Sequence, residues 1–292
     1  MPELPEVETI RIGLSVLLPS KKITAVISNW SKSFPNDQED VNQFLVGAKV
    51  ISISRRAKVL LIELDSGYSL VIHLKMTGQL VFNSQSGTHF AAGHPNDSFI
   101  NKLPDSSTRV TFTFDDNSQL FFNDQRKFGW VRLIPTIEIP NLDFFKKLGP
   151  EPLNANFTEN DLCKRLLRRP NTKIKAALLD QSVIAGIGNI YADESLWGAK
   201  IHPATLVKNI SGERIKKLYQ EIVFVLRLAI EKGGSTDRNY VNAEGKKGSY
   251  LTFASVFRRE GQACPRCGTA IIKTRVASRG THTCPNCQKL LG

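Results

Sequence analysis

Val59-Leu-Leu-Ile-Glu-Leu-Asp-Ser-Gly-Tyr-Ser-Leu-Val-Ile-His-Leu74 holds two apolar runs, Val59 to Leu64 and Leu70 to Leu74, joined by Asp65-Ser66-Gly67. Short aliphatic runs closed by a glycine turn predict a β-hairpin. The signal continues on both sides. Val110, Phe112 and Phe114 alternate before Asp115-Asp116-Asn117, and Leu120 to Phe122 returns. From Ile23 to Ile134 the chain therefore predicts an antiparallel sandwich or barrel. Ahead of it, Leu4, Val7, Ile10, Leu14 and Leu17 recur at helical spacing and predict one amphipathic helix ending at Pro19. Residues 83–107 are rich in Ser, Gly, Asn, Asp and Pro and predict a mobile insertion. His89 and His94 lie within it, without partner ligands at metal-binding spacing, and read as solvated.

Four prolines between Pro135 and Leu153 mark an interdomain linker. Beyond it the pattern turns helical: a short helix over 173–180, a Gly186-Ile187-Gly188 turn, and a second helix opening near Asn189. Gly186-x-Gly188 lacks a preceding strand and a third glycine, so it is no dinucleotide fingerprint. A helix opening at Asn189 instead offers backbone N–H groups and an amide to a phosphate. Ile215, Leu218, Ile222, Leu226 and Ala229 form a further amphipathic helix, stopped by Gly233-Gly234. Residues 233–250 read as a flexible Gly-, Asn- and Lys-rich loop, and the last thirty residues or so as a separate small unit.

A chain of 292 residues with 39 Lys+Arg against 27 Asp+Glu carries a net charge of +12. The excess points to a polyanionic partner, nucleic acid before membrane. There is no apolar run of about 18 residues and no charged-then-apolar leader, so neither a membrane span nor secretion is expected. Five cysteines in a chain this long do not make a disulfide scaffold, and a reducing, cytosolic setting follows. Four of them fall into two pairs, Cys264-Pro-Arg-Cys267 and Cys284-Pro-Asn-Cys287, separated by the 16 residues 268–283. Thiolates so spaced close a tetrahedral structural Zn(II) site, and about 30 residues need the metal's folding energy. The hairpin between the knuckles carries Lys273, Arg275 and Arg279, cations well placed for phosphate. Cys163 reads as a small buried apolar residue.

The chain opens Met1-Pro2-Glu3-Leu4-Pro5-Glu6. Trimming of Met1 would leave Pro2 as an N-terminal secondary amine with the ordinary α-amino pKa of ~8. About 10% of it is neutral at pH 7, against ~0.04% of a lysine, a gain of a few hundredfold in usable nucleophile. Such an amine attacks a sugar carbon to give an iminium ion, with Glu3 close enough to act as acid or base. The helix that follows points its positive end at this amine. The plainer reading is a helix start, with Pro5 in the first turn and acids at the dipole's positive end.

The whole chain resembles bacterial formamidopyrimidine-DNA glycosylase. The resemblance rests on Pro2-Glu3-Leu4-Pro5-Glu6-Val7-Glu8-Thr9, Arg56-Ala57-Lys58, His73-Leu74-Lys75-Met76-Thr77-Gly78, Gly186-Ile187-Gly188-Asn189-Ile190-Tyr191-Ala192 and the stretch Arg279 to Gln288, in the expected order. It implies an α+β multidomain protein: an N-terminal antiparallel β-sandwich (2–134), a linker (135–153), a helix–two-turns–helix domain (154–260) with a lesion-recognition loop at 233–250, and a C-terminal β-hairpin zinc finger (261–292). It implies a base-excision enzyme that removes 8-oxoguanine and formamidopyrimidines from duplex DNA and then nicks the strand. The partner would be damaged double-stranded DNA and the cofactor one structural Zn(II). The working form would be a monomer in the bacterial cytoplasm, on the nucleoid during repair.

By the same resemblance Pro2 is the nucleophile at the sugar C1′ and Glu3 the proton carrier. Lys58 assists from a phosphate near the lesion, Asn189 and Arg279 hold phosphates around the extruded nucleotide, and Lys175 adds a backbone contact. Met76, Arg126 and Phe128 match the side chains that fill the gap in the duplex: an adaptable thioether, a guanidinium for the orphaned cytosine and an aromatic wedge. Three departures bear on substrate range: the length of 83–107, Ser106-Ser107-Thr108 before Arg109, and a hairpin lacking glycine before Arg279. The alternatives are an oxidised-pyrimidine enzyme of the endonuclease VIII type and a non-catalytic zinc-finger DNA-binding protein. The first fits the Leu4 and Val7-Glu8-Thr9 context and the Met76/Arg126/Phe128 set less well, and the second has no need of Pro2-Glu3.

Overall fold

The computed structural model describes residues 1–94, 97–235 and 250–291. In chain order it contains α1 (Leu4–Leu17), β1 (Ile23–Ser28), α2 (Gln38–Asp40), β2 (Val50–Arg56), β3 (Val59–Leu64), β4 (Tyr68–His73), β5 (Gly78–Asn83), β6 (His89–Gly93), β7 (Thr108–Phe114), β8 (Gln119–Asp124) and β9 (Trp130–Pro135). There follow α3 (Asp143–Lys146), α4 (Glu159–Leu167), α5 (Ile174–Leu179), α6 (Asn189–Gly198), α7 (Gly212–Glu231), β10 (Ile272–Val276) and β11 (Arg279–Thr283). Two compact units divide these elements. One is Met1–Lys146 with the residues from Lys232 that follow α7; the other is Lys147–Glu231 with the chain from Tyr250 onward.

The first unit is a sandwich of two antiparallel sheets, ordered β1-β7-β8-β5-β6 and β2-β3-β4-β9. Alternation along each strand decides which residues meet. Leu60, Ile62, Leu70 and Ile72 of the four-stranded sheet face Leu80, Phe82, Phe112, Leu120 and Phe122 of the five-stranded sheet, and Val7, Ile10 and Leu14 of α1 join them. Val59 and Val71 point the other way and are covered by Ile139 and Phe145. Burial on both faces is why the Val59–Leu74 hairpin is apolar throughout rather than alternating. It also means that residues 136–146, expected as part of the linker, fold onto this sheet.

Residues 83–107 differ from the mobile insertion expected of their composition. β6 extends the five-stranded sheet by pairing Phe82 with Phe90 and Leu80 with Ala92. Phe90 enters the main core, while Ala91 packs with Val81, Phe121, Phe99 and Leu103 on the outer face. Small residues suffice for an edge strand, and the two larger apolar side chains cover the sheet.

Two connections cross between the sheets at the same end of the sandwich: 74–77 from β4 to β5, and 125–129 from β8 to β9. The registers Arg56 to Val59, Val59 to His73 and His73 to Trp130 place the β2–β3 turn at that end as well. In the second unit α4, α5, α6 and α7 enclose a core around Tyr191, Leu196, Leu218, Ile222 and Tyr250. The terminal finger belongs to this unit rather than standing apart. Cys264, Ile271, Cys284 and Val256 cluster with Trp197 of α6.

Candidate functional site

Each unit carries its own group of expected site residues. In the sandwich unit Glu3 caps α1 in a capping box with Glu6, whose carboxylate accepts from the Glu3 N–H at 2.7 Å. Pro2, Glu3 and Glu6 are buried, whereas Met1 is 46% exposed. Pro2 directly precedes the N-cap residue of this helix, whose positive end opens at Glu3. Glu6 also accepts from the Ser235 N–H at 2.7 Å, where Gly234 at φ +81 brings its backbone against the Glu6 side chain. This ties the helix start to the first residues after α7. Glu6 was not singled out from sequence, although its spacing from Glu3 is the capping-box signal. The lesion-recognition loop expected at 233–250 lies from 236 to 249 outside the described residues.

Lys58 follows Ala57, whose φ of 55 makes the tight turn between β2 and β3, and it is buried. The turn is fastened to α1. Arg55 donates from Nε to Glu8 Oε2 at 2.9 Å and from a terminal nitrogen to the Ala57 carbonyl at 2.8 Å. Burial alone would raise the Glu8 pKa, but hydrogen bonds from Arg11 and Arg55 hold it below the usual carboxylate range. At the end of β4, His73 is packed against Trp130 and Phe144, and its Nδ1 accepts from the Lys75 N–H at 3.0 Å. Burial, reinforced by the charges of Lys75 and Lys58, drives its pKa down to about 3. The imidazole is neutral with its proton on Nε2.

Met76 sits on the first crossover, Arg126 and Phe128 on the second. Phe128 is 53% exposed with the Arg126 guanidinium 4.7 Å from its ring centre, and Met76 is half-buried. None of the three belongs to a hydrophobic core cluster among the described residues. The fold thus brings together on one end of the sandwich the three side chains expected to enter the duplex.

In the second unit the structure redirects one expectation. Lys175, taken from the sequence as a phosphate contact, is fully buried, with its ammonium 2.7 Å from Asp193, 3.1 Å from the Gly280 carbonyl and 2.8 Å from Thr281 Oγ1. Three donors meet three acceptors, so the group supports the finger hairpin from within. Asn189, at the start of α6, donates to the same Gly280 carbonyl at 3.0 Å. Arg279, the neighbour of Gly280, is exposed. The turn before it, Ala277-Ser278, takes φ of 49 and 61, a left-handed pair that closes a two-residue hairpin without glycine. Asp193, which also accepts from the His282 N–H at 3.0 Å, carries no sequence signal that distinguishes it from a surface acid.

The four sulfurs of Cys264, Cys267, Cys284 and Cys287 lie within 4.8 Å of one another, with pairs at 3.5 and 4.0 Å. A tetrahedron of thiolates around Zn(II) has edges of about 3.8 Å, given bonds of ~2.3 Å. Hydrogen bonding from Thr269 brings Cys267 down to about 5, while burial and the neighbouring sulfurs push Cys287 up to about 12. Four thiols this close ionise together only around a cation. The Trp197 indole and the Cys287 N–H each point at a cysteine sulfur, at 3.4 Å. The donor set fits one structural zinc ion, which supplies folding energy to the finger.

Comparison with known proteins bears on both units. The chain matches the family models for the formamidopyrimidine-DNA glycosylase N-terminal domain over residues 1–131, for its H2TH domain over 148–240, and for the zinc finger found in FPG and IleRS over 261–290. It is 41% identical to the formamidopyrimidine-DNA glycosylase of Pelotomaculum thermopropionicum over 291 residues, 99% of this chain and 100% of that one. The same enzyme from Pediococcus pentosaceus is 41% identical over 290 residues, again 99% and 100%. Among solved structures, Lactococcus lactis Fpg in complex with an abasic site containing DNA superposes with a TM-score of 0.86 at 35% identity, covering 98% of this chain and 99% of that one. An enzyme of base-excision DNA repair is the class that these matches define. The chain belongs to the formamidopyrimidine-DNA glycosylase family.

Proposed function

We propose that this chain excises oxidised purines, chiefly 8-oxoguanine and ring-opened formamidopyrimidines, from duplex DNA and then cuts the strand by β,δ-elimination. The observation that carries the reading is the seat of Pro2, a buried residue directly before the capped start of α1 and next to the exposed Met1. With Met1 removed, the Pro2 nitrogen is a secondary amine, far more available as a nucleophile near neutral pH than a lysine. It attacks C1′; the N–C1′ bond forms and the glycosidic bond breaks, the base leaving with a proton. Glu3 then protonates the ring oxygen as C1′–O4′ opens, which leaves a Pro2 iminium. Loss of a C2′ proton expels the 3′ phosphate, a second elimination expels the 5′ phosphate, and water releases the enzyme.

Lys58 steadies a phosphate near the lesion. Asn189 and Arg279 hold phosphates from the helical unit, so that the cost of extruding the nucleotide is met from several directions. Met76, Arg126 and Phe128 occupy the gap left in the stack. The described residues hold no helix long and apolar enough to cross a membrane. We place the enzyme, acting as a monomer, in the bacterial cytoplasm where the nucleoid lies.

Borohydride reduction during turnover tests the covalent step. It should trap an adduct on lesion and abasic duplexes that maps to the N-terminal peptide. A chain that retains Met1 has a tertiary amide at Pro2 and should give none. An adduct mapping to a lysine side chain would refute the assignment. Parallel duplexes carrying 8-oxoguanine, formamidopyrimidine or thymine glycol test the substrate, and preference for thymine glycol would favour the endonuclease VIII-type reading.

A further inference from the structure

Asp124, the last residue of β8, is completely buried. Its Oδ1 accepts from the Thr77 hydroxyl and, at 3.2 Å, from the Arg126 N–H. Its Oδ2 accepts from the Phe128 N–H at 2.8 Å and the Gly129 N–H at 2.6 Å. Thr77 Oγ1 in turn accepts from the Arg126 N–H at 3.1 Å. One carboxylate thus receives four donors, its full capacity. Three come from the backbone that presents Arg126 and Phe128, and the fourth from the residue next to Met76.

The backbone around the carboxylate is specified just as closely. Lys75 (φ 51) in the first crossover and Lys127 (φ 58) in the second are both left-handed, a conformation that non-glycine residues hold only when their surroundings enforce it. Each crossover ends on a glycine with no room for a side chain. A Cβ on Gly78 would lie 2.7 Å from the Leu74 Cα, and one on Gly129 would lie 2.8 Å from the Phe122 ring and 3.1 Å from Asp124 itself. Arg109 extends the network outward, donating from Nε to the Asp124 carbonyl at 2.8 Å. A loop that merely joined two strands would require none of this.

We infer that Asp124 is a positioning residue that clamps both crossovers into one rigid wedge, so that Met76, Arg126 and Phe128 enter the duplex as a unit. The inference rests on the proposed role of those three side chains at the gap left by the lesion. Its energetic logic is preorganisation. A wedge already held in its working shape does not spend binding energy on ordering two loops when the base leaves the stack. An acid is needed because all four partners donate. In Asp124→Asn the amide NH2 must face either the Phe128 and Gly129 N–H groups or the Arg126 N–H beside Thr77, and both orientations set donor against backbone donor at unchanged volume.

The test compares single-turnover excision from an 8-oxoguanine duplex with strand cleavage at a preformed abasic site, for the full zinc-loaded chain. Asp124→Asn should lower the ratio of the two rates by tenfold or more, and Thr77→Val by several-fold, because an abasic site has no base to unstack. Combined with Phe128→Ala, Asp124→Asn should add less than threefold, since a clamp without its wedge has little left to hold. Equal losses on both substrates, or losses that multiply in the double variant, would reduce Asp124 to a fold-supporting residue and overturn the inference. If Asp124→Asn does not fold, by circular dichroism and thermal unfolding, Thr77→Val decides by the same ratio. Phe128→Ala separates the two levels of the claim. If it lowers the ratio while Asp124→Asn and Thr77→Val do not, the clamp alone is wrong. If Phe128→Ala leaves the ratio unchanged, the wedge reading fails and takes the clamp with it.

Discussion

His73 should make the sandwich unit acid-sensitive well above the carboxylate range. In the folded chain its pKa is about 3, because burial, with Lys75 and Lys58 nearby, disfavours the imidazolium. In the unfolded chain it returns to the ordinary value of about 6.5. A folded pKa below the unfolded one contributes stability that is complete above about pH 6.5 and is lost as pH falls toward 3. Between pH 7 and 5 the unfolded imidazole takes up about three quarters of a proton and the folded one almost none. At about 1.4 kcal/mol per pH unit below 6.5, this single group should cost about 2 kcal/mol over that interval. Urea unfolding at several pH values, followed by tryptophan emission, measures the slope; the Trp130 ring centre is 5.8 Å from that of His73 and reports on its surroundings. His73→Gln keeps an acceptor for the Lys75 N–H and should flatten the curve by that amount. The other four histidines remain in both proteins and cancel in the comparison. An NMR resonance that disappears in His73→Gln and titrates near pH 6.5 in the folded parent would refute the reasoning, as would identical slopes.

Lys175→Met should destabilise the helical unit by about 3 kcal/mol by stranding the Asp193 carboxylate, and should weaken DNA binding without changing its salt slope. Arg279→Ala should weaken binding and reduce that slope by about one, so salt titrations of the two variants distinguish a hairpin support from a phosphate contact. Cys267→Ser, or exhaustive chelation, should unfold the finger and sharply lower DNA affinity while the sandwich keeps its circular dichroism; undiminished binding after verified zinc loss would exclude the finger from the DNA site. Ser278→Gly should relieve one left-handed residue in the hairpin turn, worth about 1 kcal/mol, seen as slower zinc release to a chelator.

Much of this was legible in the chain because the signals are local. The 3–4 spacing from Leu4 to Leu17, the turn at Asp65-Ser66-Gly67 and the paired knuckles each need only a dozen or so neighbouring residues to be read, and α1, the β3–β4 hairpin and the sulfur cluster follow them. What stayed hidden depends on partners distant in sequence. Nothing near Lys175 shows that its charge is met by Asp193 and by the carbonyl of Gly280. Asp124 looks like any acid before a turn until Thr77 is brought to it by sheet pairing. The segment 83–107 has the composition of a loop because an edge strand of Phe90, Ala91 and Ala92 is specified by the neighbour it pairs with, not by its own propensity.

Gly13 gives that last segment a reach beyond its own sheet. A side chain at this position would overlap the ring of Phe90, so α1 rests on β6 only because residue 13 has none. Ten residues separate Gly13 from Glu3. At 1.5 Å per residue this makes a lever arm of about 15 Å, and a tilt of about 5° about the Phe90 contact displaces Glu3 by roughly 1.3 Å. Misplacement on the order of 1 Å is enough to cost about a hundredfold in a reaction that depends on alignment. Trimming a stretch with the composition of a dispensable surface loop would therefore disturb the bearing on which the Pro2-Glu3 end of the helix is aimed.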